Sequence, residues 1–198
     1  MTRSATDWLR SLPSLTGIPP AFDPSDAPDT PEQLFLEWIS AASEAGVAEP
    51  HAMTLATVDR DGFADARTLI LKDVDRRGWA FAGHRVSRKS EQLFERPVAA
   101  LNFWWQPVTR AVRVRGSVIP ADADESAADL VARSPAARDG IRPGDWLLWR
   151  LVPDRVEFWQ GSVDRRHLRL VYERAGEGWT RRIATGHTDT HQSGETNA

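Results

Sequence analysis

The chain has no cysteine and very little lysine, and each scarcity limits the kinds of functional site that it can form. The absence of cysteine from 198 residues excludes disulfides, thiolate nucleophiles and cysteine-ligated metals. No apolar run approaches the roughly 18 residues of a membrane-spanning helix, and the amino terminus lacks the basic-then-apolar order of a signal peptide. A net charge of −3 argues against general attraction to nucleic acid or to membrane surfaces. We therefore predict a cytoplasmic protein with neither kind of partner.

Only two of the 25 basic residues are lysines, and both lie in short basic motifs. Lys72 closes the segment Arg67-Thr-Leu-Ile-Leu-Lys72, and Lys89 closes Ser87-Arg88-Lys89. In a chain so rich in arginine, lysine is expected to persist where a compact, flexible ammonium is wanted instead of a planar guanidinium. The position of both lysines beside arginines indicates anion binding. The alternative is that the two lysines lie there by chance.

The order of the sequence patterns predicts one mainly β domain with a few helices, spanning residues 30–184. Five prolines within residues 1–29 predict an extended arm without regular structure. The helix-start pattern Thr30-Pro31-Glu32-Gln33, read as a capping box, predicts a helix to about Ala45. Residues 185–198 are polar without an apolar face, and they are predicted to be a disordered tail.

From residue 51 onward, short segments rich in Val, Ile, Phe, Trp and Thr are separated by turn residues, as is typical of antiparallel strands. The predicted strands are 52–59, 64–73, 78–83, 98–105, 110–119, 146–159 and 168–183. The sixth is open to a break around Pro153-Asp154. Hairpin turns are expected at Asp61-Gly62, Arg77-Gly78 and Gly176-Glu177-Gly178. Further helices are predicted from Ser87 to Glu95 and from Asp122 to about Arg133.

The two lysine motifs differ in how they can reach a ligand. Arg67 and Lys72 are five residues apart, so on one continuous strand their side chains face opposite sides of the sheet. A bulge or a strand end is needed to bring both to one ligand, and an ordinary strand with charged ends is the alternative. Ser87-Arg88-Lys89 places two cations and free backbone N–H groups at the first turn of a helix, where the dipole already favours a phosphate.

A third cluster lies near the carboxyl end of the strand region. Glu157-Phe158-Trp159-Gln160-Gly161 is followed by Arg165, His167 and Arg169, which project to one side on a continued strand. A planar anion could be held there by stacking and charge-assisted hydrogen bonds. His167 taken alone would be interpreted as a structural histidine, but the three residues together favour a site. The pair His187 and His191 has metal-ligand spacing only on a helix, and a solvated tail explains it better, so no metal site is predicted.

Together these motifs resemble the pyridoxamine 5'-phosphate oxidase family. The resemblance rests on the Arg67–Lys72 and Ser87–Lys89 motifs, on Asn102-Phe-Trp-Trp105 followed by Arg110-Ala-Val-Arg113-Val-Arg-Gly116, and on the third cluster. It covers about residues 30–183, and the motifs occur in the family's order. It implies an FMN-binding split β-barrel that works as a homodimer, with FMN as cofactor in the subunit interface.

The resemblance also assigns roles to residues. The implied cofactor-binding residues are Arg67, Thr68, Leu69, Ile70, Lys72, Arg88, Lys89, Trp159 and Arg169. The implied substrate-binding residues are Lys72, Arg133, Arg165 and His167, of which Arg165 and His167 are also the implied catalytic pair. In the implied reaction a small-molecule substrate, with a vitamin B6 phosphate as one candidate, gives a hydride to the flavin, and dioxygen reoxidises it.

Several positions depart from the family pattern. Ala111 stands where the family has a glutamine at the flavin, and the Gln-Ser pair expected within residues 134–145 is missing. Asp129 and Ala137 stand around Arg133 where a tyrosine and a serine help to hold the substrate phosphate. Because an aspartate there repels phosphate, the pattern supports FMN binding better than turnover of a vitamin B6 phosphate.

Three other functions therefore remain open beside an oxidase for vitamin B6 phosphates. The first is a family member acting on another substrate in secondary metabolism, as relatives in phenazine biosynthesis do. The second is a flavin-binding protein without turnover. The third is nucleic-acid binding, since Arg110, Arg113 and Arg115 with Trp104 and Trp105 could imitate a stacking platform. The acidic net charge makes a barrel strand the better interpretation of that segment.

Overall fold

Nine strands and five α-helices make up most of residues 4–184, the part of the chain that this computed structural model describes. The helices are α1 (Ala5–Arg10), α2 (Pro31–Glu44), α3 (Arg88–Glu95), α4 (Ala123–Ala132) and α5 (Pro135–Arg138). The strands are β1 (Ala52–Val58), β2 (Ala64–Ile70), β3 (Asp73–Asp75), β4 (Gly78–His84), β5 (Val98–Trp105), β6 (Arg110–Pro120), β7 (Trp146–Gln160), β8 (Leu168–Ala175) and β9 (Gly178–Ile183). The prediction of a mainly β fold with a few helices is confirmed.

The sheet is organised around β7, which is 15 residues long. Along one edge, residues 149–160 of β7 pair with β6 in antiparallel register. Along its other edge, residues 146–151 pair with β4 and residues 155–160 pair with β8. The strand order is β2-β1-β5-β6-β7-β4-β3, with β8 and β9 branching from β7. The sheet therefore divides halfway along β7.

Alternating side chains of the strands form the core, and α2 closes it. In β1, Met53 and Leu55 are buried while the residues between them stay partly exposed, which is the alternation expected when one face of a strand is wet. Helix α2 contributes a buried stripe at helical spacing, and its Phe35 is fully buried. Full burial of a phenylalanine contributes about 1.5–3 kcal/mol to folding. The other large side chains with almost no exposure are Trp79, Trp105, Trp149, Tyr172, Phe81, Phe103 and Phe158.

Strand β7 is continuous through Pro153, so the break considered around Pro153-Asp154 does not occur. The register between β6 and β7 shifts between Arg115, which pairs with Arg155, and Gly116, which pairs with Pro153, so Asp154 is the extra residue of a bulge in β7 next to Pro153. A bulge tolerates the missing N–H of proline. A Cβ atom on Gly116 would collide with the carbonyl oxygen of Val152, so glycine permits the close approach of the two strands.

Other boundaries differ more locally from the predictions. The segment predicted as one strand, 64–73, divides into β2 and β3, and Lys72 lies between them. The arm is not wholly without regular structure, because α1 begins after Ser4, whose hydroxyl oxygen accepts the Asp7 N–H at 3.1 Å. At the start of α2 the Thr30 hydroxyl contacts the Gln33 side chain at 3.1 Å and caps no backbone N–H, so the capping box is not formed.

The remaining predicted helices and hairpins are confirmed to within a residue or two. Asp122 caps α4 by accepting the Glu125 N–H at 2.7 Å, and α5 is an additional short helix within residues 134–145. The predicted tail, residues 185–198 with His187 and His191, lies outside the described residues. Within residues 4–184, no helix is both long and apolar enough to span a bilayer.

The amino-terminal arm packs against the turn between β5 and β6. The Ile18 N–H donates to the carbonyl oxygen of Pro107 at 2.9 Å, and the Gln106 side chain donates to the Thr16 hydroxyl at 3.0 Å. Gly17 fits only because it has no side chain, since a Cβ atom there would collide with the carbonyl oxygen of Gln106. The arm is thus attached to the barrel by a backbone hydrogen bond, a side-chain hydrogen bond and the close approach of Gly17.

Arg110 strengthens this attachment from inside the protein. Its guanidinium carbon lies 4.1 Å from the ring centroid of Trp38 and 5.8 Å from that of Phe22, at cation–π distances. The same group donates to Gln160 Oε1 at 2.8 Å and to the carbonyl oxygen of Pro20 at 3.3 Å. Burial lowers the pKa of Arg110 to about 10, so this side chain is charged at neutral pH.

Replacing Arg110 by methionine should loosen the arm and destabilise the barrel. The change keeps the aliphatic length but removes the hydrogen bonds and both cation–π contacts, so we expect a loss of about 2 kcal/mol in the free energy of unfolding. Chemical denaturation measures the loss, and limited proteolysis should show faster cleavage before residue 30. The exposed Arg60→Met is the matched control. Equal stability of the two variants would contradict the role given to Arg110.

Candidate functional site

The first basic cluster lies where β2 meets the start of α3. Arg67 projects from β2 and donates to the Thr57 hydroxyl at 2.5 Å and to Gln92 Oε1 at 3.3 Å. Ser87 precedes the first residue of α3, and its hydroxyl oxygen accepts from Lys89 Nζ at 3.1 Å. The helix N-terminus adds backbone N–H groups and a partial positive charge. The cluster therefore combines several donors with local positive charge.

Lys89 is a half-buried cation of this cluster. Among the described residues it forms no ion pair, whereas Arg88 pairs with Asp65 at 2.6 Å and lies 3.7 Å from Asp59. Burial, and then the nearby positive charge of Arg67, lowers the pKa of Lys89. A bound anion would offset both causes of the lowered pKa. It would compensate the buried positive charge of Lys89 and weaken its repulsion by Arg67.

Gly83 makes room for Lys89 on the neighbouring strand. A Cβ atom at Gly83 would collide with the ammonium nitrogen and the Cε atom of Lys89. Glycine inside a strand is otherwise unfavourable, so its position here marks a close approach. Gly83 pairs with Leu147 on β7, and the next residue, His84, contacts the ring of Trp146 at 5.4 Å. The first cluster thus adjoins the start of β7.

The second cluster is formed by Lys72, Asp129, Arg133 and Trp146. Lys72 follows the end of β2, and its ammonium lies 3.7 Å from the carboxylate of Asp129. That carboxylate also accepts the indole N–H of Trp146 at 2.7 Å. The Arg133 guanidinium lies 4.3 Å from the ring centroid of Trp146, and its Nε donates to the carbonyl oxygen of Ala137 at 3.0 Å. Lys72 and Arg133 therefore lie around the same Asp129–Trp146 pair, and their role in substrate binding stays a prediction.

The third cluster lies at the far end of β7. Trp159 pairs with Arg169 of β8 and contacts the ring of His167 at 5.0 Å. The Nδ1 atom of His167 accepts the Ser162 N–H at 3.0 Å, so the neutral ring carries its proton on Nε2. His167 and Arg165 lie in the loop between β7 and β8, so the continued strand expected there does not form. Arg165 has a φ of 66°, a strained value for a residue with a side chain.

Glu157 holds several arginines of the third cluster in place. Its side chain is 3% exposed and contacts Arg113 at 2.5 Å, Arg155 at 3.1 Å and Arg169 at 3.4 Å. A carboxylate that is removed from water needs such partners. Arg169 is thus positioned by Glu157. The sequence motif contains Glu157, but the sequence alone assigned it no role.

The remaining predicted residues have simple placements. Thr68 is exposed on β2, whereas Leu69 packs against the core, so only the backbone of Leu69 could contact a ligand. Of the five residues considered as a stacking platform for nucleic acid, Arg110 and Trp105 are buried, and Arg113 is paired with Glu157, so the platform is not formed as a whole. Sequence reasoning also missed residues that shape the clusters. The most important are Gly83, Gln92, Trp146 and Glu157, and a glycine within a predicted strand was the one available signal.

The second and third clusters lie near opposite ends of β7. Trp146 and Trp159 are thirteen residues apart on this strand. At roughly 3.3 Å per residue, they are separated by up to about 40 Å along the chain direction. One subunit therefore holds Lys72, Lys89 and Arg133 at one end of β7, and Trp159, His167 and Arg169 at the other.

The divided sheet and the basic start of α3 define a split β-barrel protein. A sequence profile described as pyridoxamine 5'-phosphate oxidase matches residues 39–160. A second, described as the pyridoxine 5'-phosphate oxidase C-terminal dimerisation region, matches residues 146–183. The chain belongs to the pyridoxamine 5'-phosphate oxidase family, whose members generally bind FMN.

Curated relatives share about a third of their residues with this chain. A pyridoxine/pyridoxamine 5'-phosphate oxidase of Thermosynechococcus vestitus is 37% identical over 79% of this chain and 89% of its own length. The protein of the same name from Bordetella avium is 39% identical over 76% of this chain and 86% of its own length.

Solved structures show the same fold. PhzG from Burkholderia lata 383, solved in complex with tetrahydrophenazine-1-carboxylic acid, superposes with a TM-score of 0.78 at 28% identity. The superposition covers 85% of this chain and all of PhzG. A pyridoxamine 5'-phosphate oxidase-related, FMN-binding protein from Nostoc punctiforme has a TM-score of 0.67 at 18% identity, covering 79% of this chain and 97% of its own.

Proposed function

We propose that this protein is an FMN-dependent oxidase of the pyridoxamine 5'-phosphate oxidase type. The observation that carries the proposal is the cluster of Arg67, Ser87 and Lys89 at the start of α3. Lys89 is half-buried there without a carboxylate partner, a condition that a phosphate would satisfy. The family membership makes FMN the phosphate-bearing ligand to expect.

The described residues fit FMN at its phosphate end. Arg67 and Lys89 supply charge, and Ser87 and the first N–H groups of α3 supply hydrogen-bond donors. Arg88 lies at the same helix start, but its guanidinium is paired with Asp65. Thr68, Leu69, Ile70 and Lys72 follow along β2 as the remaining proposed contacts. When bound, FMN would accept a hydride from a substrate carbon. Dioxygen would then reoxidise the flavin and be reduced to hydrogen peroxide.

The proposed working form is a homodimer. Trp159 and Arg169 lie too far along β7 to reach a ligand held by Lys89 of the same chain. A two-fold arrangement of two copies can bring the third cluster of one subunit to the first two clusters of the other. The match of residues 146–183 to the C-terminal dimerisation region supports this arrangement, because these residues carry the third cluster.

In this arrangement each predicted substrate residue has a separate task. Lys72 and Arg133 orient the substrate from one subunit. Arg165 and His167 approach it from the other, and the Nε2 proton of His167 is available as a hydrogen-bond donor. The strained backbone of Arg165 is consistent with a functional loop. These residues bind and orient, since the cofactor supplies the redox step.

A second substrate class is favoured by one contact. Asp129 pairs with Lys72, so a residue proposed to hold the substrate phosphate already has a negative partner. PhzG, the structure with the TM-score of 0.78, was solved with a tricyclic carboxylic acid. An oxidase acting on a carboxylate-bearing ring system is therefore the second candidate.

The function is tested by flavin content and flavin reduction. We expect purified protein, after reconstitution with FMN if needed, to show the visible spectrum of bound flavin. Anaerobic addition of pyridoxamine 5'-phosphate, pyridoxine 5'-phosphate or tetrahydrophenazine-1-carboxylic acid should bleach that spectrum in at least one case. A yellow protein that stays oxidised with all three would favour the flavin-binding protein without turnover. A protein that cannot be loaded with FMN would overturn the proposal.

Changing Gly83 to alanine should weaken FMN binding with little change in stability. The added methyl group collides with the end of a flexible lysine side chain, which can move away, so Lys89 should leave its place in the cluster. We expect FMN affinity to fall about tenfold, the size of one charge-assisted hydrogen bond, in a fluorescence titration of the apoprotein. Gly178→Ala, where a Cβ meets only an ordinary contact of 3.8 Å, is the matched control. Unchanged affinity in Gly83→Ala would place the phosphate elsewhere.

Mixing two inactive variants should restore part of the activity if the site is shared between subunits. Lys72→Ala removes a residue from one end of β7, and His167→Ala removes one from the other. A heterodimer of the two variants has one fully damaged site and one intact site, so a randomised equal mixture should regain about a quarter of wild-type activity. Activity assays after mild denaturation and refolding of the mixture measure the recovery. No recovery, despite heterodimers detected by native mass spectrometry, would mean that each subunit carries its own complete site.

A further inference from the structure

Asp129 occupies an unfavourable position that its contacts explain. It lies in the last turn of α4, where the partial negative charge of the helix end disfavours a carboxylate. Its side chain is 13% exposed, accepts the indole N–H of Trp146 at 2.7 Å and lies 3.7 Å from Lys72 Nζ. Two partners from distant parts of the chain thus hold a negative charge inside the proposed substrate cluster.

Lys72 is neutralised by this contact before any substrate arrives. An ion pair with one side chain only 13% exposed keeps more of its strength than a surface pair, because solvent screens it less. An anionic ligand that binds the ammonium of Lys72 therefore also lies close to the carboxylate of Asp129 and is repelled by it. The repulsion grows with the charge of the ligand, so a dianion experiences about twice the repulsion of a monoanion.

Arg133 remains as a preorganised anion-binding group. Its guanidinium carbon lies over the ring of Trp146, 4.3 Å from the centroid, and its Nε donates to the carbonyl oxygen of Ala137. Within residues 4–184, its Nη1 and Nη2 atoms have no hydrogen-bond partner. A guanidinium held in this way presents two terminal nitrogens, which match the two oxygens of a carboxylate.

The charges of Lys72, Asp129 and Arg133 sum to a single positive charge. Further groups in contact with this cluster include His84, whose ring contacts Trp146, whereas the neighbouring Asp145 is paired with Arg142. Whatever charge a second subunit adds, Asp129 lowers the total by one. A phosphate monoester carries about −1.5 to −2 at neutral pH, and a carboxylate carries −1.

We propose that Asp129 makes this site selective for a monoanionic, carboxylate-bearing planar substrate over a phosphate ester. Asp129 cancels the charge of Lys72, and Arg133, which lies over the ring of Trp146, binds the carboxylate. This inference rests on the proposed function for the location of the substrate, and it adds the charge class of that substrate and the residue that selects it.

The test compares three ligands that share one ring system. 1-Naphthoate is a planar monoanion, 1-naphthyl phosphate is a tetrahedral dianion, and 1-naphthyl sulfate is a tetrahedral monoanion. Calorimetric titration of the FMN-loaded protein should give affinities for naphthoate and naphthyl sulfate about tenfold or more above that for naphthyl phosphate. Tighter binding of the phosphate, or no binding of naphthoate, would overturn the proposal without any variant.

Asp129→Asn identifies the residue responsible. The amide oxygen can still accept the Trp146 N–H, so the fold should persist, and thermal unfolding checks this. Binding of naphthyl phosphate should tighten about tenfold, and the logarithmic gain for naphthoate and for the sulfate should be about half as large. Asp124→Asn, an exposed change of the same charge on the same helix, should alter none of the affinities more than twofold. Equal gains for all three ligands, or none, would contradict the proposal.

The two proposals fail in different ways. Charge selectivity that depends on Asp129 in a protein whose flavin no substrate reduces would support the substrate site and contradict the oxidase. Flavin reduction by a vitamin B6 phosphate, with phosphate bound more tightly than carboxylate, would support the oxidase and contradict the selectivity assigned to Asp129.

Discussion

The continuity of β7 is the constraint on which the rest of the structure depends. One long strand supplies an edge to β4 in its first half and to β8 in its second half, so both parts of the barrel are joined through it. Its continuity depends in turn on the bulge at Asp154, beside Pro153, and on Gly116 opposite, which lets the two strands approach closely. The same strand places one half of the functional residues at each end. The proposal of a site shared between two subunits rests on this geometry more than on any single contact.

The distribution of carboxylates decides what the arginines and lysines of this chain do. Glu157 receives three arginines, Asp65 receives Arg88, and Asp129 receives Lys72. Most basic side chains near the proposed site are therefore structural. Arg67, Lys89 and the terminal nitrogens of Arg133 are among the groups to which the described residues offer no such partner, and they are the ones we propose for anions. Each of these ion pairs is electrically neutral, so the charge available to a ligand comes from the basic groups outside them.

Local signals in the sequence were sufficient for most of the elements. The Val-rich segment 110–119 located β6, and Asp122 located the start of α4. The scarcity of lysine drew attention to Lys72 and Lys89 before any comparison. Local signals failed at Pro153, because the opposing glycine lies 37 positions earlier in the chain, and in the arm, where a serine cap formed α1 despite many prolines nearby.

The sequence by itself determined the mainly β class, the approximate elements and the family, because periodicity, turn residues and ordered motifs are local properties. It also supplied the departures at Asp129, Ala137 and Ala111. Only the tertiary structure decided that Asp129 neutralises Lys72, that Gly83 accommodates Lys89 and that Glu157 holds Arg169. Each of these contacts joins residues from different elements, so each depends on strand register and helix packing that no single stretch of sequence encodes.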